Sequence, residues 1–480
     1  MNAGESSRPA PAGPSDAGRA SPPASLIGSA VIAALGGLLF GFDTAVISGT
    51  TASLRAVFRL GDFGLGFAVA GALIGTILGA LAAGWPADRF GRRPVLVAIA
   101  VLYAVSALGS ALAWDLASFL AFRFLGGIGV GAASVVSPLY IAEIAPARLR
   151  GRLVAVTQFN VVLGILLAFF SNYAIAAIDP GADAWRWMFG VEAAPAALFF
   201  GLLFLTPESP RWLVARGRLD EAGAVLARLG TDRGSVEGEV EEIRASFHAE
   251  RRALREPFLR RKYRVPILLA VAIAAFNQLS GINALMYYAP DIFRMAGAGE
   301  GSALLQAVAV GGVNLLFTTA AMAIIDRFGR RRLMLVGSIG YLLSLGTTAW
   351  AFYRYGDAFT PLGGAVVLAS LLVFIASHAF GQGAVIWVFI SEIFPNPVRA
   401  RGQALGSFTH WVMAALISWT FPVIAAASGG HAFAFYAAMM TLQLLWVLFI
   451  MPETKGIPLE EIQERLGAGG PGDQPPARPR

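Results

Sequence analysis

Between Ile27 and Ile47 the chain carries one ionisable side chain, Asp43, inside an apolar run of about 20 residues, the length a helix needs to cross bilayer hydrocarbon. An acid at that depth is costly unless it is paired, protonated or facing a wet cavity, so Asp43 is a candidate functional group. The plainer readings are a cap at a helix break and a static partner for a base. Arg123 is such a base. It precedes Gly126, Gly127, Gly129 and Gly131, and small residues of this kind let a second helix backbone come close enough to bring Arg123 to Asp43. The glycines do not form a nucleotide fingerprint, because no strand precedes them and they lie in an apolar helix. Glu192, near Trp187 and Pro195, is a second acid among apolar residues. Opposite charge favours an ionised carboxylate and desolvation favours the neutral form, so two acids sharing one arginine can load or release a proton through a change in packing.

A second group of side chains suits a neutral polyhydroxylated ligand. Asn277, Gln278, Asn283 and Tyr287, with Tyr288 alongside, fall within one apolar segment. Amides donate and accept, and aromatic faces cover the apolar side of a sugar ring. Asn283 and Tyr287 are four residues apart and share a helical face, and Gly281 loosens the helix before them. Buried amides also bridge helices, and their density here favours ligand contact. His410 titrates near neutrality in water, which makes it either a rival proton carrier or a neutral hydrogen-bonding group. His378 reads as a helix contact.

These residues need a membrane-spanning scaffold. The 480 residues are 56% hydrophobic and 14% charged, with mean hydropathy +0.64 and 55 glycines, against roughly 25% charged residues in soluble domains. Apolar segments near 25–49, 64–84, 94–113, 118–142, 153–175, 187–205, 265–289, 303–325, 333–353, 363–390, 404–426 and 432–451 predict twelve helices crossing the bilayer. The net charge of +7 is spread over alternate short loops rather than one patch, which excludes a nucleic-acid surface and marks those loops, and both termini, as cytoplasmic. With no cysteine there is no disulfide or thiol chemistry. Residues 1–24 and the end of the chain from 466 have the composition of disordered tails, and no cleavable secretion signal is expected. Expected domains are therefore a tail over 1–24, a six-helix half over 25–205, a cytoplasmic linker with short helices over 206–264, a six-helix half over 265–451 and a tail over 452–480.

Three motifs recur in the same order in the two halves. Asp88-Arg89-Phe90-Gly91-Arg92-Arg93 returns as Asp326-Arg327-Phe328-Gly329-Arg330-Arg331. Tyr140-Ile141-Ala142-Glu143-Ile144 returns as Phe389-Ile390-Ser391-Glu392-Ile393, and Pro207-Glu208-Ser209 returns as Pro452-Glu453-Thr454. Ordered matches of this length indicate an internal duplication. A duplicated helical bundle binds its ligand between the halves, near the bilayer midplane, where rocking exposes the site to each side in turn.

These motifs, with Gln278-Leu279-Ser280-Gly281-Ile282-Asn283 and the Trp387 region, resemble the sugar porters of the major facilitator superfamily across roughly residues 25–460. The resemblance implies an all-α membrane protein of two pseudo-symmetric six-helix bundles, transporting a monosaccharide by alternating access. Bacterial sugar/proton symporters of that family carry Asp and Arg at the positions of Asp43 and Arg123, whereas facilitative glucose carriers have Asn at the first. Proton coupling through Asp43, Arg123 and Glu192 is thus expected over uniport of a sugar or polyol. By similarity Gln158, Asn314, Trp387 and Trp411 join Phe40, Asn277, Gln278, Asn283, Tyr287 and His410 as sugar contacts. Trp350 and Trp446 read as interfacial anchors. Departures from the family pattern include Asn277 in place of a glutamine, Ile165 where xylose symporters carry Gln, His410 for a usual Gln or Asn, and Ala384 for a usual proline. They bear on which sugar is carried.

Asp88, Arg89, Glu143, Arg150, Asp326, Arg327, Glu392 and Arg401 are expected to form cytoplasmic gate ion pairs that hold the inner face closed and break when substrate leaves. They offer no nucleophile with a paired base, so an enzyme is not expected. Neither metal nor cofactor is expected. The partners are a small sugar, a proton and the lipid bilayer, with no nucleic acid, and the chain is expected to act as a monomer. A non-transporting sugar sensor is the rival of a different class, and the short tails argue against it.

Overall fold

The computed structural model describes residues 23–178, 181–232, 234–253, 256–356, 358–457, 461–462 and 466, with side chains described except at 248–253 and 326. The expected tails fall almost wholly outside these residues. Among the described residues, twelve helices are long and apolar enough to span a bilayer: Ala24–Gly49, Asp62–Ala82, Arg92–Ala111, Leu116–Ile144, Ala147–Ile178 and Ala184–Leu203 in the first half, then Arg261–Met295, Glu300–Ile325, Arg330–Tyr355, Pro361–Ile393, Arg399–Ala427 and Gly429–Phe449. They are called the first to twelfth spans. The chain is an all-α membrane protein of two six-helix bundles.

The glycines of the fourth span act as their spacing predicts. A Cβ on Gly127 would lie 1.9 Å from the carbonyl oxygen of Ala72, and one on Gly131 would lie 2.1 Å from that of Thr76, so the second and fourth spans touch backbone to backbone. Between the halves, the segment 206–264 forms the helices Pro210–Ala215, Leu219–Arg228 and Val236–Ala253. Ser209 caps the first of these by accepting from the Trp212 N–H. Leu213, Val214 and Ala222 form a small core with Val240, Ile243 and Phe247, and Ser25 donates to the Arg228 carbonyl, fastening this unit to the first span.

The apolar cores are distributed unequally along the membrane normal. One large cluster joins both halves and includes Phe42, Val46, Ile47 and Leu54 of the first half with Tyr287, Tyr288, Ile292 and Phe293 of the second. Two others are confined to one half each: Leu26 to Leu229 on one side, Tyr263 to Met451 on the other. Both lie toward the face that carries the repeated motif loops. The halves are therefore packed together at the opposite face and separate cores at the motif face, which is the geometry of a carrier open on the motif side.

Besides the first span, which ends in a 3-10 turn over Ile47–Gly49, three spans depart from continuous α-helices, and each departure bears on the site. The seventh breaks at Ser280-Gly281 into Arg264–Leu279 and Ile282–Met295, with Gly281 at φ +84° and a second kink at Tyr288, where φ is −127°. The sixth breaks at Val191-Glu192 into Ala184–Gly190 and Ala193–Leu203. The tenth carries a π-turn over Ala379–Gly383. Of the two tryptophans assigned to the interface, Trp350 is exposed as expected, whereas Trp446 is buried and packs on Phe276 with ring centroids 5.9 Å apart. The correction follows from its helix face, which points at the seventh span rather than outward.

Candidate functional site

The break at Gly281 is what gathers the amides. Ser280 donates to the Asn277 carbonyl at 2.6 Å and accepts from the Ile282 N–H at 3.3 Å, bridging the interruption. A Cβ on Gly281 would lie 2.6 Å from the Tyr436 ring, so the left-handed turn and the space both call for glycine there. Asn277 and Gln278 end one half-helix and Asn283 and Tyr287 begin the next, and all four face one cavity of about 150 Å³ between the halves. Phe40 and Thr44 of the first span, Gln158 of the fifth, Asn314 of the eighth and His410 and Trp411 of the eleventh complete its wall.

Gln278 donates to Asn277 Oδ1 at 3.0 Å and lies 3.2 Å from His410 Nε2, while its own Oε1 is buried with no partner in the protein. An unpartnered buried carbonyl beside an imidazole asks for a hydroxyl donor. Aromatic rings cover the other side: Phe40 and Trp411 have centroids 5.6 Å apart, and His410 meets Trp411 edge-on at 4.9 Å. No carboxylate, lysine or arginine lines the cavity among the described residues. The chemistry is that of a neutral, polyhydroxylated ligand.

Nine of the ten sugar-contact residues expected from sequence line this cavity. Trp387 stands behind it, its ring 5.2 Å from His410. Thr44, Thr318 and Met286 line the wall without having been singled out, and Ile165 is there in the place of the missing glutamine. His378 makes the expected helix contact, to the Tyr341 hydroxyl at 2.7 Å, and faces the cavity as well. It stands one residue before the π-turn, a feature common at functional sites.

Asp43 and Arg123 meet within the first half. Arg123 Nη1 donates to Asp43 Oδ1 at 2.5 Å and Nη2 to the Asp43 carbonyl at 3.3 Å; the residues are 2% and 1% exposed. The guanidinium sits 5.3 Å from the Phe189 ring centroid. Glu192, 1% exposed, stands at the break of the sixth span with Oε1 unpartnered, within electrostatic reach of both. Trp187, its neighbour in sequence, faces outward at 65% exposure. Asp43 is not itself part of the cavity wall, but the adjoining Thr44 is, and Tyr287 on the wall lies within electrostatic reach of the pair.

At the motif face the ion pairs form two matching networks. Arg92 donates from Nε and Nη2 to Glu143 at 2.8 Å each and pairs with Asp88 at 3.2 Å; Ser209 donates to the same Glu143 at 2.6 Å. Glu208 accepts from the Arg92 N–H at 2.9 Å, an anion seated on the N-terminus of the third span. In the second half Arg330 donates to Glu392 at 2.8 Å, Thr454 donates to Glu392 at 2.6 Å and Glu453 accepts from the Arg330 N–H at 2.9 Å. Burial holds the Glu208 carboxyl above the ordinary glutamate range despite the N–H groups of Ser209, Arg93 and Arg92.

The expected gate is thus rearranged. Glu143 and Glu392 take their arginines from Arg92 and Arg330 of the hexapeptides. Arg150 instead donates to the Ala142 carbonyl and Arg89 lies over Trp85 and Phe90, while Arg401 has the Pro397 carbonyl among its contacts. Arg327 contributes its carbonyl to Lys455, and the Asp326 side chain lies outside the described residues. The Arg92–Glu143 and Arg330–Glu392 pairs each lie within one half. The signal for Arg92, Arg330, Glu208 and Glu453 lay in the repeated motifs, which place Arg-Arg and Pro-Glu at matching positions in both halves.

Two six-helix bundles around a neutral polar cavity, packed shut at one face and parted at the other, define a membrane transporter and not an enzyme. The chain belongs to the sugar transporter family: residues 29–466 match the family model described as sugar (and other) transporter. It is 39% identical over 471 residues to the D-xylose-proton symporter of Escherichia coli (strain K12), covering 90% of this chain and 94% of the relative. It is 39% identical over 448 residues to the glucose transport protein of Synechocystis sp. (strain ATCC 27184 / PCC 6803 / Kazusa), covering 90% and 95%. Among solved structures, the inward open conformation of the xylose transporter XylE from E. coli superposes with a TM-score of 0.81 at 37% identity, covering 92% of this chain and 99% of that one. XylE bound to 6-bromo-6-deoxy-D-glucose superposes less well, at 0.74 with 38% identity over 92% and 99%.

Proposed function

We propose that the chain is a proton-coupled carrier of a neutral monosaccharide, a pentose or hexose, working by alternating access in a bacterial inner membrane as a monomer, with both termini and the motif loops cytoplasmic and the halves divided within 206–264. The observation that carries this reading is the buried Asp43–Arg123 pair one residue from the wall of a charge-free amide and aromatic cavity. A proton on Asp43 removes its charge and frees Arg123, which then turns to Glu192, whose Oε1 is unpartnered. The shift alters the packing of the first span, and with it Phe40 and Thr44 at the sugar. Names of relatives support the substrate class: D-xylose, arabinose and glucose all occur among them.

Proteoliposomes test it. With an acid outside and neutral interior, labelled D-xylose, L-arabinose or D-glucose should accumulate above equilibrium, and Asp43→Asn should abolish accumulation while sugar counterflow continues. Accumulation unchanged in Asp43→Asn would refute the coupling role, and absence of flux of any monosaccharide would refute the substrate class. Uniport of a sugar or polyol is the second reading; flux without accumulation in the unaltered protein would establish it.

A further inference from the structure

The proton has to reach Asp43, and the cavity wall does not include that residue. On the other side of the pair, the third span carries Tyr103, Ser106 and Ser110, at i, i+3 and i+7, on one buried face. All three hydroxyls are buried without a partner in the protein, as are Arg123 Nε, Glu192 Oε1 and Trp185 Nε1. Unpartnered buried polar atoms are rare in folded proteins and rarer in hydrocarbon, and so many together call for bound water. Serine in a membrane helix ordinarily bonds its own helix one turn back, as Thr76 and Ser338 do here to Ala72 and Met334. Ser106 and Ser110 do not.

Their arrangement is directional. A point beside Gly126 lies 2.2 Å from Ser106 Oγ and 3.6 Å from Asp43 Oδ1, which puts hydroxyl and carboxylate within reach of one bridging water. Ser110 stands one turn, about 6 Å, further from the motif face. The span ends at Ala111, where Arg186 donates to the carbonyls of Ala111 and Ala113 at 2.7 and 2.9 Å and Trp185 brings its unpartnered N–H.

We propose that Ser110, Ser106 and Tyr103 hold a file of water inside the first half that delivers protons to Asp43 from the face opposite the motif loops, separate from the sugar route. This rests on the proton-coupled reading above. The step is a relay: a hydronium at the Trp185–Ser110 end passes its proton along the water file, the last water protonates Asp43 Oδ1, and the bond from Arg123 Nη1 is released. No group is oxidised or reduced. Ser106 and Ser110 are positioning residues, since they hold water and contact neither sugar nor Arg123.

The test uses the full chain in proteoliposomes with labelled D-xylose, or D-glucose if D-xylose is not carried. The Ser106→Ala, Ser110→Ala double variant is expected to keep sugar counterflow near the unaltered rate while the initial rate of pH-driven accumulation falls about a hundredfold, the low end of what a positioned proton-transfer path contributes. Ser110→Thr, which restores a hydroxyl, should recover most of that rate. Accumulation at the unaltered rate in the double variant would overturn the proposal. So would equal loss of counterflow and accumulation, which would assign the hydroxyls to packing. Absence of pH-driven accumulation in the unaltered protein, with counterflow intact, would instead refute the coupled reading on which the relay rests.

Discussion

Asp43 and Arg123 sit where neither is tolerable alone. Removing one partner of a buried pair strands the other, at a cost of about 3–5 kcal/mol, while removing both charges is often neutral. Arg123→Leu should therefore lower the thermal midpoint of the purified protein markedly, and Asp43→Asn added to it should restore most of the loss. Equal destabilisation in the single and double variants would show that the arginine acts through packing on Phe189 instead. Gln278 presents the unpartnered amide oxygen in the cavity, so Gln278→Ala should raise the sugar KM about tenfold or more, the worth of a buried hydrogen bond or two, with little change in kcat. An unaltered KM would remove Gln278 from the binding wall. Asp43 was legible in the sequence because it interrupts an otherwise chargeless run. Thr44 was not, since its hydroxyl bonds the Phe40 carbonyl as threonines in helices commonly do, and nothing in its spacing announces the cavity.

At the scale of elements, the two half-helices of the seventh span matter most. Gly281 reads as a place of weakness from sequence, but the full interruption depends on Ser280 bonding across it and on Tyr436 filling the space a side chain would need. Gly281→Ala forces φ +84° on a residue with a Cβ and drives that Cβ into a ring, and strain of about 1–2 kcal/mol or more follows. We expect a lower thermal midpoint together with slower counterflow; normal turnover would mean that the break is not where the helix flexes. The break in the sixth span at Val191-Glu192 had a signal in Pro195, which has no N–H for the Val191 carbonyl four residues back, and in Gly190 just before it. The motif networks were half legible. The charges were evident, but which arginine each glutamate takes depends on how the loops fold over the helix ends, and only the duplication of Pro-Glu hints at the answer.

For the whole molecule, the duplication and the hydropathy pattern carry the two-bundle architecture, whereas the conformational state is written in long-range packing that no local pattern reports. The parted cores at the motif face predict that a thiol placed on the cavity wall is reached from that face. The chain has no native cysteine, so Thr318→Cys gives a clean probe. Without a pH gradient it should react with a membrane-impermeant reagent applied at the motif-loop side and resist the same reagent at the other; the reverse pattern would place the resting state on the opposite side of the cycle.

That the Arg92–Glu143 and Arg330–Glu392 pairs each lie inside one bundle has a kinetic consequence. Rotation of one bundle against the other leaves the Arg92–Glu143 and Arg330–Glu392 pairs intact, so leaving the present state ruptures neither of these contacts. Dissolved electrolyte screens pairs this well buried only weakly, so added salt should leave both the firmness of the bundles and the frequency of their rocking nearly untouched.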